Sequence, residues 1–361
     1  MTEMRRYVFL DGLRGVAALS VGCLHATQIS NIFIMPRHGR LAVDFFFLLS
    51  GLVVAHAYDG RLTAGLTYWG FAAKRLIRLY PMIALGAALG TAVTLAETYG
   101  HEPHWPIPSL FLGFSAFVLF PLGLFFGVEA YPVNNPMWSL FFELFANFTY
   151  AASVRQSIER SRMMLVVLIC VTAVLVVLVL QMRTVARVGF GSPGLFFAGF
   201  VRVAVPFLAG VLINRYGLRL PTFRYADLAG TLVLAGLLFC PWFPNSPLYD
   251  LTCICIAFPV LIVGSIGVSG SIIPNHVWSL LGRLSYPFYL LHQPVIRFIR
   301  WAGWHGALPG VSDAGEALIG LLASVALTYV VLALFDEPVR NWLAGRLQLA
   351  GKPRPAGAGT P

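Results

Sequence analysis

The segment LDGLRGVAALSVGCLHA, residues 10–26, decides the fold class because it reads in two ways at once. Its length and apolar content suit a membrane-crossing helix, since a hydrocarbon core about 30 Å thick needs about 20 apolar residues. It nevertheless carries Asp11, Arg14 and His25. An Asp or Arg at the centre of a spanning helix costs about 2.5–3.5 kcal/mol on insertion scales, and such residues face a bundle interior or a wet cavity. Arg14 and His25 are 11 positions apart. That is close to three turns, so both project from one face, about 16 Å apart along the axis. A permanent cation and a proton-transfer group therefore share one stripe at different depths.

The rest of the chain agrees with a spanning reading. Of its 361 residues 58% are hydrophobic and 11% charged, where soluble domains carry about 25% charged residues; mean hydropathy is +0.77. Apolar blocks run over 8–26, 41–58, 79–96, 110–127, 137–154, 163–181, 195–214, 226–243, 251–268, 278–299 and 318–335. The expected fold is all-α, a polytopic helical bundle integral to a lipid bilayer. The net charge of +10 comes from basic residues at segment ends, which suits anchoring and orientation rather than nucleic acid. Cys23, Cys170, Cys240, Cys253 and Cys255 lie in or beside apolar spans; they read as small buried hydrophobes, and no metal is expected. There is no phosphate-cradling loop, no nucleophile elbow and no paired-histidine zinc motif.

The positive-inside rule sets the count. Arg5/Arg6, the 61–78 loop, the 155–162 loop, Arg215/Arg219/Arg224 and the basic residues from Arg340 onward are expected on the cytoplasmic side. The stretches 101–108, 241–249 and 301–312 are expected outside. Three apolar blocks separate the 61–78 and 155–162 loops, yet two inner loops need an even number of crossings. The block 110–127, with Gly113, Pro121, Gly123 and Gly127, is the expected re-entrant one, because broken backbone is tolerated at depth where protein covers it. About ten spans result, with both termini cytoplasmic. Residues 1–345 form the expected membrane domain and 346–361, rich in Gly, Pro and Ala, a disordered cytoplasmic tail. Arg37/Arg40 and Arg183/Arg187 then fall outside, against the rule.

His25 is the candidate general base, since a neutral imidazole accepts a proton at cellular pH; the bland alternative is a polar tie between helices. Asp44 opens the second span and is expected to orient His25, or else to cap a helix N-terminus. Arg14 suits a phosphate or a polarised acyl donor, with Asp11 three residues away as a positioning partner. Lys74, Arg75 and Arg78, with Arg61, can bind a diphosphate or simply anchor the span. Trp138, Ser139 and Glu143 lie in NNPMWSLFFELFAN; Ser139 and Glu143 share a helix face, and Glu143 reads as lining a wet cavity. Arg202, also intramembrane, is the expected counter-ion of Glu143 or a substrate contact. Ser285, Tyr289 and His292 recur at i, i+4 and i+7 in LSYPFYLLHQP as one polar stripe.

Four separated stretches, LDGLRGVAALSVGCLHA, VDFFFLLSG, RLIRLYP and PMWSLFFELF, together resemble membrane acyltransferase family 3, with looser matches in LSYPFYLLHQP and the terminal EPVR. The resemblance covers residues 6–340. It implies an O-acyltransferase of sugars, lipids or antibiotics, with acyl-CoA, usually acetyl-CoA, as cytoplasmic donor. The implied acceptor is a hydroxyl-bearing glycan or glycolipid at or beyond the outer leaflet, and the implied location a bacterial inner membrane. It carries catalytic importance to Arg14 and His25 and support to Asp44, Arg75, Arg78 and Glu143. It also implies the stand-alone type, without an esterase-like domain. In that picture the coenzyme's phosphates dock on the inner basic loop, its arm passes Arg14, and His25 deprotonates the acceptor; Arg14, Ser139 or Tyr289 stabilise the oxyanion. Trp138, Ser139, Tyr289 and His292 are the expected substrate contacts. A covalent acyl-enzyme relay stays open, as do a sugar or lipid transporter and a structural subunit of a synthesis complex.

Overall fold

The computed structural model describes residues 7–28, 36–99, 106–154, 160–183, 185, 188–241, 246–268 and 272–350, and among them no strand occurs. The helices are α1 (Val8–Thr27), α2 (Ala42–Thr63), α3 (Tyr68–Thr98), α4 (Pro106–Phe117), α5 (Met137–Val154), α6 (Arg160–Met182), α7 (Pro193–Arg215), α8 (Ala226–Phe239), α9 (Ser246–Thr252), α10 (Phe258–Ser265), α11 (Asn275–Trp304), α12 (Asp313–Val331) and α13 (Glu337–Ala350). Single π turns, Cys253–Ala257 and Leu332–Asp336, join α9 to α10 and α12 to α13. Among the described residues 7 stretches are long and apolar enough to cross a membrane. Helices α5 and α11, of 18 and 30 residues, are not among those 7. The protein is an all-α polytopic membrane bundle.

The block 110–127 does not form one helix. Helix α4 has 12 residues, about 18 Å at 1.5 Å per residue, too short for a core of about 30 Å. After it Leu119 takes a positive φ of 55°, a 3-10 turn spans Leu122–Phe126, and Gly127 closes it at φ 71°. The Tyr131 hydroxyl donates to the Leu119 carbonyl at 2.7 Å, so the break is held by protein. At the other end, α13 continues to Ala350, past the boundary read from composition at 345/346. Residues 351–361 lie outside the described residues, as do Arg5, Arg6, Arg155 and Arg187.

Two close helix pairs build the centre. A Cβ on Gly51 of α2 would strike the Phe207 carbonyl, and one on Gly210 of α7 the Leu48 carbonyl. A Cβ on Gly15 of α1 would meet the Leu281 backbone of α11, and one on Gly282 the Asp11 backbone. Without side chains at these points the backbones approach closely, as small residues allow in membranes. The α1–α11 pair runs parallel: Arg14 bonds to Ser285, and further along His25 bonds to His292. The polar stripes of both helices therefore face each other.

Candidate active site

His25 and His292 meet across the α1–α11 seam, Nδ1 to Nε2 at 2.7 Å. His292 is fully buried, and its Nδ1 lies 3.1 Å from the Phe288 carbonyl. A carbonyl only accepts, so His292 Nδ1 carries the proton and, in the neutral ring, Nε2 is a lone-pair acceptor. His25 Nδ1 must then be the donor to it. That leaves the lone pair of His25 on Nε2. The tautomer of one imidazole is fixed by the other, as the second ring nitrogen of a functional histidine is fixed by its partner.

Three cavities follow one another along these stripes. The innermost, about 790 Å³, is walled by Asp11, Arg14, His56, Arg78, Arg283, Asp336, Glu337 and Arg340. The middle one, about 80 Å³, shares Arg14, Arg78 and Tyr286 with it and adds Ser50, Arg75, Ser139, Glu143, Ser285 and Tyr289. The outermost, about 110 Å³, shares Val43 and Tyr289 with the middle one and is lined by His25, Gln28, Arg40, Glu129, Asn135, Trp138 and Arg202. Arg14 thus stands where the first cavity meets the second, and Tyr289 where the second meets the third.

Arg14 is aimed by its neighbours: Nε donates to Ser285 Oγ at 2.8 Å, Nη2 to the Gly282 carbonyl at 2.9 Å, and Asp11 lies 3.3 Å away. Ser139 and Tyr289 share a hydrogen bond of 2.9 Å between their hydroxyls. Trp138 is buried in the wall of the outer cavity, under the Arg202 guanidinium at 5.4 Å from its ring.

Several expected pairings are different. Asp44 does not touch His25; it takes a two-pronged ion pair with Arg202, at 2.8 and 2.6 Å, with both residues at most 1% exposed. Arg202 cannot then serve Glu143, and its Nη1 also donates to the carbonyls of Val185 and Val188. Glu143 instead accepts from Arg75 at 2.9 Å and from Ser50 at 3.1 Å. Arg75 is thereby buried on a carboxylate in the middle cavity, not displayed in an inner loop. Arg78 lines the inner and middle cavities, while Lys74 lines none of the three. The reason is helical phase: α3 starts at Tyr68, so Lys74 lies about 100° from Arg75 and faces elsewhere.

Arg283, Arg340 and His56 of the inner cavity, and Gln28, Glu129 and Asn135 of the outer one, were not read from the sequence as site residues. Arg40 left one trace: it broke the positive-inside rule. The structure places it, exposed, at the outer cavity beside His25. The remaining six carry no such mark, because single polar residues scattered through helices and connections are ordinary.

A curated relative, "Protein 2 in picA locus" of Rhizobium radiobacter, is 40% identical over 159 residues, which cover 40% of this chain and 81% of the relative. No solved structure matches the chain. The acyltransferase domain family model matches residues 7–333. That span takes in α1 to the turn before α13, and with it both histidines, Arg14 and every cavity wall named above except Asp336, Glu337 and Arg340. On the strength of that match the chain belongs to membrane acyltransferase family 3.

Proposed function

We propose that this membrane acyltransferase moves an acetyl group from acetyl-CoA to a hydroxyl of a cell-surface glycan or glycolipid in a bacterial inner membrane. The observation that carries the proposal is the row of three cavities ending at an imidazole whose tautomer is fixed with its lone pair on Nε2. The inner cavity, about 790 Å³ with four arginines in its wall, suits the nucleotide end of the donor, since guanidinium matches phosphate geometry. The narrow middle cavity suits the pantetheine arm, which passes Arg14 and Tyr289. His25 Nε2 takes the proton of the acceptor hydroxyl, and the oxygen attacks the thioester carbonyl. Collapse of the tetrahedral intermediate expels the coenzyme thiolate, which recovers the proton from His25. Tyr289, at the junction of the middle and outer cavities, can donate to the oxyanion.

The test is acyl transfer in membranes holding wild type, His25→Ala or Arg14→Ala at matched expression, with radiolabelled acetyl-CoA and the host's extracted glycans. Labelled glycan from wild type, lost in both variants, supports the proposal. Label that persists with His25→Ala refutes His25 as the base.

A further inference from the structure

The outer cavity has two unlike walls. Gln28, Arg40 and Glu129 are exposed and polar. Val21, Leu24, Val43 and Trp138 are buried and apolar. A hydrocarbon chain on the thioester gains by burial only against the second wall.

Trp138 is the largest side chain of that wall, and it is held from several sides. Phe47 and Phe142 pack edge-on at ring centroid distances of 6.3 and 6.0 Å, and Phe190 lies at 5.5 Å. The Arg202 guanidinium lies 5.4 Å from the ring, and it is itself locked by Asp44. Behind the indole sits Gly189 at φ +111°, where any Cβ would strike the ring. The tryptophan has nowhere to withdraw.

We propose that Trp138 is the specificity-determining stop of the acyl pocket, limiting the donor to short acyl groups. The inference rests on the acyl transfer reading of the cavities. One methylene too many in a fitted pocket is worth about 10–200-fold, so the limit falls within a few carbons of acetyl.

The test does not need the acceptor. The full chain in lipid nanodiscs is titrated with coenzyme A and with its stable S-ethyl, S-butyl and S-hexyl thioethers, for wild type, Trp138→Ala and Trp138→Phe. Wild type should bind the ethyl thioether at least tenfold more tightly than the hexyl one. Trp138→Ala should bring the two within threefold while its affinity for coenzyme A alone stays that of wild type. Trp138→Phe, which keeps a ring in the wall, should fall between them. If Trp138→Ala fails to fold, Trp138→Phe decides by the same ratio. Equal binding of all thioethers by wild type, or a wild-type ratio in a variant that binds coenzyme A normally, overturns the inference and leaves the acyl transfer reading standing. Coenzyme A that does not bind wild type at all overturns both.

Discussion

His292 should control catalysis without touching substrate. The perturbation is His292→Ala, compared with His292→Gln and His292→Lys. In the wild type, the Phe288 carbonyl holds the His292 proton on Nδ1, and His292 Nε2 takes the Nδ1 proton of His25. Alanine removes that acceptor. His25 then loses its orientation, can place its proton on either nitrogen, and keeps a poorly paired N–H. Losing the partner of a buried donor costs about 1–3 kcal/mol, and each 1.36 kcal/mol in the barrier is tenfold in rate. The loss in kcat for His292→Ala should therefore be about 5–150-fold. It reaches only the lower edge of the about 10²–10⁴-fold that a general base contributes and that His25→Ala should lose. The Gln amide oxygen can accept from His25 as the ring nitrogen did, so His292→Gln should recover most of the rate. Lysine offers only donors and should be the worst of the three. The assay is steady-state acyl transfer with kcat and KM for donor separated, alongside thermal stability in detergent. KM should barely move, because His292 lines none of the donor cavities. The reasoning is refuted if His292→Ala keeps full kcat, or if His292→Gln is no better than His292→Lys at equal stability.

The buried Asp44–Arg202 pair should matter for folding rather than chemistry. Removing either partner leaves an uncompensated charge and should cost about 3–5 kcal/mol, while Asp44→Leu with Arg202→Met should recover most of it; melting in detergent reads the difference, and a single variant as stable as wild type contradicts the assignment. Arg283→Ala should raise KM for acyl-CoA severalfold with kcat within twofold, since Arg283 walls the inner cavity. Lys74→Ala should change neither, and a KM effect larger than that of Arg283→Ala would contradict the location of the donor site.

The spanning helices were legible because hydrocarbon imposes a strong, local rule on composition, and the break in the block 110–127 because Gly and Pro punctuate it. Arg14 and His25 were legible together because they lie on one helix, where spacing fixes geometry. The pairings were not. Arg202 and Asp44 are 158 residues apart, and Arg75 and Glu143 are 68 apart. Nothing in the local pattern distinguishes the true match from the swapped one. Proximity in sequence misled for Asp44: a short connection brings α2 back beside α1, yet the first turn of α2 points toward α7, where Gly51 and Gly210 permit close approach.

The corrected pairings give the intramembrane charges a common logic. An ionised side chain in hydrocarbon is tolerable only when paired or hydrated. Arg202 and Asp44 are at most 1% exposed, satisfy each other, and carry Trp138 on their outer side. Arg75 and Glu143 do the same for the middle cavity, with Ser50 as third member. These pairs neutralise charge and fix the walls. Arg14, Arg283 and Arg340 are paired as well, with Asp11, Glu337 and Asp336, but together with Arg78 they line the large inner cavity, where water or an anion can also solvate them. At the outer cavity lies the His25–His292 couple, which carries no obligatory charge and so needs no counter-ion. In the proposed reaction His25 is neutral at rest and cationic only during transfer, which suits a group at the outer end of such a path. The second imidazole accepts one hydrogen bond from His25 while a carbonyl fixes its own proton, and so orients the His25 ring without a directly bonded carboxylate.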